Sequence, residues 1–551
     1  MRVWLNLNVV SGFSRTTLAS FGLIVVAGAA MLTAGQSSSS STAAAGAQLK
    51  QVAYLKGSNI EAGDHFGCGG VLDGHAGYGA ALSGDGNTLA IGAPHESGGS
   101  KGINGDQKDN SVYGSGAVYV FTKNGNTWAQ QAYVKPSNPQ MSAEFGHAVV
   151  LSADGNTMAV SAYWEASKAT GVNGDGTDES IPQAGAVYVF TRTGTRWTQQ
   201  AYIKASNTGE AGTADRFGDG DQFGVSLTLS DDGRTLAVGA ISEDSNAPGI
   251  NGNQADNSMT SAGAVYVFSR TGNTWAQQAY IKPSNPDAGD LFGYSVTLNA
   301  DGNTLAVGSY DEGGSARGIN GPPDNMRRGS GAVYIFARTG TAWAQQAYIK
   351  ASNAEAGDSF GVNVSLSDDG NTLLASSLDE DCLATGVNPQ GQGCDSDFKA
   401  DRSSGAAYVF VRSGTTWTEQ AYLKSSNSGA NDWFGSRAAL SGDGNTAVLG
   451  ASLEDSSGRG VDGKQDDDKA AESGAVYFFR RTGTIWAQLH YVKSASADAY
   501  DEFGGSVAVS RDGKTIVITA HSEDGSSHGV GGNQADNGAA EAGAAYVFSA
   551  N

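Results

Sequence analysis

Positive charge is scarce in this chain. It has 34 Lys and Arg against 56 Asp and Glu, a net charge of -22 over 551 residues. Nucleic acid and anionic membrane surfaces would repel such a chain, which excludes both as expected partners. Charge of either sign is thin as well, at 16%, while glycine reaches 79 residues. That balance argues against helical bundles and for short strands joined by tight turns. Catalytic and metal signatures are missing too. The seven histidines are scattered with no pair at metal-ligand spacing, and no His-Glu-x-x-His occurs. No two carboxylates stand out as an acid and base pair. The expectation is a protein that is not an enzyme.

Cysteine is limited to Cys68, Cys382 and Cys394. The last two share one loop, and a disulfide between them is expected in an exported chain. Acidic residues are absent before Glu61, where Arg2 and Arg15 precede an apolar run from Leu18 to Ala34. Residues 1–35 read as a signal peptide or signal anchor and 36–47 as a Ser/Ala-rich spacer. At 17 residues the run lies near the lower limit for spanning a bilayer, so an uncleaved anchor competes with cleavage. No cysteine follows the run closely, so a lipid anchor is not supported. The expected location is secreted, cell-surface or periplasmic, with membrane contact only through that segment.

What fills residues 48–551 is one pattern written seven times. Phe-Gly opens a copy at Phe66, Phe145, Phe223, Phe292, Phe360, Phe434 and Phe503. An Asp-Gly turn follows at Asp85, Asp154, Asp232, Asp301, Asp369, Asp443 and Asp512. A long loop comes next, then a strand such as Ala264 to Phe268. A Trp stands seven positions after that Phe in six copies, for example Phe268 and Trp275. Constant spacing across a turn marks a hairpin of fixed register. Each copy reads as four strands. The third is apolar at successive positions, so both of its faces must be buried. Seven such sheets that cover one another make an all-β, seven-bladed β-propeller.

The two ends supply the closure. The last copy stops at Ala545-Tyr546-Val547-Phe548 without a fourth strand. Gln48 to Lys56 forms a fourth strand with no copy before it. The orphan strand is expected to complete the orphan blade and cover its edge. A monomer is expected.

The Phe-Gly openings, glycine-rich second strands and seven copies resemble the FG-GAP repeats of integrin α-subunit propellers. They are still more similar to bacterial exported proteins built only of such repeats. That resemblance implies a propeller used for binding or adhesion. Integrin-type repeats often carry an Asp-x-Asp-x-Asp-Gly calcium loop before the second strand. Here that place reads Leu229-Ser230-Asp231-Asp232-Gly233, with an apolar residue where a ligand should be. The Asp-Gly pairs are read as turn formers instead.

Function is expected on the face that carries the long loops between second and third strands. Together these seven loops hold -19 of the net -22. The candidate ligand-contacting residues are Asp106, Asp109, Trp164, Asp175, Asp178, Asp256, Asp324, Asp395, Trp433, Asp466 and Asp536. Their Asp oxygens either bind a cation or basic ligand, or cap the loop's own backbone. A second acidic series, Asp64, Asp221, Asp290, Asp358, Asp432 and Asp501, sits two residues before each Phe. It is either a carboxylate ring for a cation or a set of backbone caps. Calcium is the one cofactor these series leave open. The expected partner is a protein or a glycan. The alternatives are a polysaccharide lyase or hydrolase acting on the same face and a purely structural envelope protein.

Overall fold

The computed structural model describes residues 48–69, 78–209, 220–389 and 402–550. The expected signal segment 1–35, the spacer 36–47, Cys394 and Asp395 lie outside them. The described residues form seven four-stranded antiparallel sheets and no helix. Six sheets run in chain order, first strand to fourth. The third blade is representative, with Phe223–Leu229, Thr235–Ala240, Ala264–Thr271 and Thr274–Ile281. We number blades by the Phe-Gly that opens each.

The seventh blade is shared between the chain ends. Leu49–Leu55 pairs antiparallel with Ala544–Ala550, from Leu49 opposite Ala550 to Leu55 opposite Ala545. A second closure runs around the tight-turn end. Gly84, Ala153, Asp231, Ala300, Asp368, Gly442 and Arg511 each donate a backbone N–H to the carbonyl of the next. Arg511 returns the chain of bonds to Gly84, at 2.9–3.2 Å throughout. The ring is therefore closed at an outer strand and again at its inner rim, with no first-strand turn left unpaired.

Alternation explains why the third strand is apolar throughout. In the second blade Tyr188 and Phe190 pack with Val118, Val120 and Val134 of the first blade. Val187 and Val189 point the other way, against Leu227 and Val238 of the third. Phe145 meets the Tyr188 and Phe190 rings edge-on at 5.4 and 6.0 Å, and every blade repeats this triangle. The Gly of Phe-Gly is required by this packing. Gly146 has φ of 103°, and a Cβ there would lie 2.5 Å from the Ala117 carbonyl of the previous blade.

The tight-turn face is nearly the same in each blade. Asp154 accepts from the Asn156 N–H and the Ser152 hydroxyl, which locks the turn before the second strand. Trp197 donates its indole N–H to Gln131 of the previous blade, and the Arg192 guanidinium lies 5.2 Å above its ring. The first strands surround a central cavity of about 230 Å³, lined by Val149, Leu227, Val296, Val364 and Val507 among others.

Candidate functional site

The long loops are anchored before they are displayed. Three residues past the end of each second strand stands a Glu: Glu96, Glu165, Glu243, Glu312, Glu380, Glu454 and Glu523. Each accepts the ammonium of the Lys that ends the fourth strand, at 2.6–2.9 Å. The Tyr two residues before that Lys donates its hydroxyl to the same carboxylate at 2.6–3.2 Å. Both charges are essentially buried. Burial pulls the lysines below their ordinary pKa, against the pull of the Glu. Such a pair survives only because its partners are in place. In the seventh blade Lys56 and Tyr54 come from the N-terminal strand and Glu523 from the C-terminal copy, so the ion pair also fastens the seam. The charge reading is thereby sharpened. Seven of the loop carboxylates are cancelled in place by lysines of the fourth strands.

A second anchor is an Asn two residues after a loop Gly, in Gly-Ile-Asn-Gly in three copies, Gly-Val-Asn-Gly in the second and Gly-Val-Asn-Pro in the fifth. Asn104, Asn173, Asn251, Asn320 and Asn388 adopt left-handed φ of 47–58°. Each side-chain oxygen accepts the N–H of the fourth-strand Tyr at 2.8–3.0 Å. The residue before each Asn bridges the fourth strand as well, as Ile103 does with Val134.

The loop aspartates act on their own backbone. Asp106 accepts from Lys108 N–H, Asp109 from Ser111, Asp175 from Thr177 and Asp256 from Ser258, each two residues on, at 2.9–3.0 Å. Asp178, Asp324 and Asp536 reach across their loops to the amides of Lys168, Ser315 and Ser526. Asp466 pairs with Lys464 at 3.3 Å. Hydrogen bonds of this kind hold Asp178 below the usual carboxylate range, with Ser180 the largest cause. Trp164 is half-buried beside Tyr163 at 5.5 Å between rings. Trp433 is half-buried with φ of 57°.

The second acidic series is buried. Asp64, Asp290, Asp358, Asp432 and Asp501 each accept the N–H three residues before, at 2.7–3.0 Å. Burial is the main cause that pushes Asp290 and Asp358 up to about 8 and Asp64, Asp432 and Asp501 up to about 7. Asp221 is raised by burial too. Among the described residues no three His, Cys, Asp or Glu form a group that could hold a metal ion.

Sequence reasoning missed the channel mouth on the long-loop side. The residue before each Phe has a left-handed φ of 52–59°, yet none is glycine: His65, Glu144, Gln222, Leu291, Ser359, Trp433 and Glu502. One backbone place thus carries six different side chains. Around blades three to five the mouth is apolar, with Val225, Ile241, Leu291, Tyr294 and Val362 in one cluster. Around the seam it is titratable. The histidines scattered in sequence partly meet here, with the His65 ring 4.8 Å from His95 and 6.1 Å from His521. Burial lowers His65 to about 4 and His521 to about 3, and raises Glu502, 3.3 Å from His521, to about 7. Arg437 lies buried across the mouth, its guanidinium on the carbonyls of Gly505, Ser436 and Gly69 at 2.6–3.0 Å. Its place reads Ser226, Ser295 or Ser506 in sister copies, and that break in the repeat was the available signal.

Six of the nine exposed large apolar side chains among the described residues lie on this face, while Ile485, 73% exposed, stands at the tight-turn end. Tyr113, Met141, Met326 and Tyr500 are 60–80% exposed, and Leu383 and Val530 about 40%. All six lie in long loops or in the connectors between blades. Tyr500 has φ of 71°, where sister copies place Gly289 and Gly357. A bulky residue at that φ is a strained choice. The letters Gly-x-Ser-x-Gly occur three times, at Gly98 to Gly102, Gly357 to Gly361 and Gly525 to Gly529. None is followed by a helix, Ser100 donates to the Asp106 carbonyl and Ser359 to the Asp379 carboxylate, so none is a nucleophile elbow. Cys382 is disulfide-bonded and Cys68 is a buried thiol.

The FG-GAP repeat family matches residues 275–336 and 417–479. No curated protein matches the chain. Among solved structures, the periplasmic gluconolactonase of Pseudomonas aeruginosa is similar at 14% identity and a TM-score of 0.41, covering 82% of this chain and 98% of its own. The WD40 repeats of RRP9 are similar at 9% identity and a TM-score of 0.42, covering 91% and 99%.

Proposed function

For a chain that carries FG-GAP repeats in a closed seven-bladed ring, we propose an exported binding protein that recognises a protein or glycan through its long-loop face. One observation carries the reading: large apolar side chains stand exposed on that face at places the repeat does not need. Tyr113, Met141, Met326 and Tyr500 have Pro182, Ala288, Ala356 or glycine in equivalent positions. Aromatic and Met side chains set among polar neighbours are what recognition surfaces use. The seven anchoring glutamates and the capping aspartates support binding over catalysis, because each already serves a lysine, a tyrosine or a backbone amide. Export is supported by the apolar run after Arg2 and Arg15 and by the disulfide at Cys382.

The test is a binding titration of labelled protein on cells and extracellular matrix. Tyr113→Ala, Met141→Ala and Tyr500→Ala together should weaken binding at least about tenfold, as loss of anchor residues does. Arg192→Ala and Arg338→Ala on the opposite face should leave it unchanged. Equal loss from both sets, with both proteins folded, overturns the assignment to this face.

A further inference from the structure

Four sister loops fill a small hollow with a glutamine, three residues after the anchoring Asn or its equivalent: Gln107, Gln254, Gln465 and Gln534. In three of them a connector serine donates to the glutamine carbonyl oxygen. Ser58 reaches Gln107 at 2.7 Å, Ser426 reaches Gln465 at 2.5 Å, and Ser206 bonds Gln254. The same serines in the first and sixth blades accept from a fourth-strand glutamine, Gln130 or Gln488, at 2.8 Å. Their hydroxyls are then used as donor and acceptor at once.

The second blade breaks this arrangement. Its equivalent residue is Gly176, so the glutamine is missing. The backbone has not moved away, because the Gly176 carbonyl still accepts from Asn138 at 2.9 Å, as Gln107 and Gln254 accept from Asn59 and Asn207. What remains is a hollow of about 290 Å³ bounded by Ser137, Asn138, Gly176, Thr177, Gln199 and Tyr202. Ser137 still accepts from Gln199 at 3.0 Å, but its own proton has only a 3.5 Å contact with the adjacent Asn138 oxygen. A donor that is satisfied in three sister blades faces open space here, as it does in the fourth blade. There Pro323 replaces the glutamine and Ser284 has the same 3.5 Å contact with Asn285. The open hollow of this volume is that of the second blade. The volume sits at the small end of ligand pockets, about 300 Å³ upward, and suits one side chain.

We propose that this hollow binds a glutamine side chain presented by a peptide partner, with its carbonyl oxygen on the Ser137 hydroxyl. The sister blades are the internal template for that occupant. Charge selects against glutamate, since Asp175 lies in the same loop and Glu165 holds the Tyr202 hydroxyl at 2.8 Å. This inference deepens the reading of the long-loop face and rests on it only in that the hollow opens there. Variants at Tyr113 and Tyr500 should leave the hollow's occupancy unchanged, so the two readings fail separately.

Saturation-transfer NMR of the full chain with acetyl-Gly-Gln-Gly-amide tests the proposal, with the Glu peptide and free N-acetylglucosamine as competing probes. The Gln peptide should give transfer centred on its side chain. Gly176→Gln should supply the chain's own occupant and abolish the signal. A Cβ there would lie 2.8 Å from the Asn138 amide nitrogen, so Ser137→Ala, an exposed and undemanding change, serves as the second variant. It should weaken the peptide about three- to tenfold, the worth of one hydrogen bond. No transfer to the wild-type chain, equal transfer to Gly176→Gln and Ser137→Ala, or preference for the Glu peptide or the sugar would each overturn it.

Discussion

The two ends of the ring are built from the same strands and have opposite characters. The tight-turn end repeats Asp-Gly turns, Trp–Gln bonds and Arg–Trp stacks almost without change, and a belt of seven backbone bonds closes it. The long-loop end repeats only what is hidden: the Glu–Lys–Tyr clusters, the Asn anchors and the Asp caps. What it shows to solvent differs from blade to blade. Repetition is therefore a property of load-carrying parts, and variation falls mainly on displayed side chains, with the buried Arg437, which bonds Gly505 and Gly69 of other blades, as an exception.

The largest effect should come from the seam. Deleting residues 48–56 removes the fourth strand of the last blade and both partners of Glu523. Thermal melting should drop sharply, and an unchanged melt would contradict ring closure. Next, Lys204→Met leaves Glu165 buried without its cation. A loss of about 3–5 kcal/mol in urea unfolding is expected. Adding Glu165→Gln should recover most of it, and an additive double mutant would refute the pair. Neither substitution touches the tight-turn end, which sharpens the contrast between hidden and displayed parts.

The acid–base behaviour separates the two kinds of buried group on the long-loop side. Asp290 and Asp358 ionise near 8 when folded and near about 4 when unfolded. The unfolded chain thus binds fewer protons between those values, and stability falls as pH rises from about 4 to 8. His65 and His521 act oppositely. Their folded pKa values of about 4 and 3 lie below the ordinary value of about 6.5, so they favour the fold as pH rises to that point. Asp290→Asn keeps a cap oxygen and removes the ionisation. Its melting temperature should depend less on pH between 4 and 8 than the parent's, and an unaltered slope would deny that Asp290 is a buried acid.

How much of this was legible follows from spacing. Phe-Gly, Asp-Gly and the Phe-to-Trp interval are local patterns of constant length, and they disclosed the blades, the hairpins and the split copy. The Glu–Lys pairs were not legible in the same way. Glu96 and Lys135 stand 39 positions apart across a loop of variable length. The one local sign was Tyr-x-Lys at the end of every fourth strand, a charge on the same side as a buried ring. The histidine cluster at the seam was hidden by closure itself, since His521 reaches His65 only once the ring has joined. The left-handed places before Phe were unreadable because His, Leu and Trp there give no sign of positive φ.

The comparison turns on whether displayed side chains are kept at the expense of the fold. Tyr500 decides this most directly. It holds φ of 71° with its ring 60% exposed, in a place where glycine serves other blades. Urea unfolding of Tyr500→Gly is the measurement. If the ring is there for recognition, relieving the strained backbone should stabilise the protein by about 0.5–1 kcal/mol while binding weakens. A loss of stability, with binding unchanged, would show that Tyr500 belongs to the scaffold and that the long-loop face is not set apart from it.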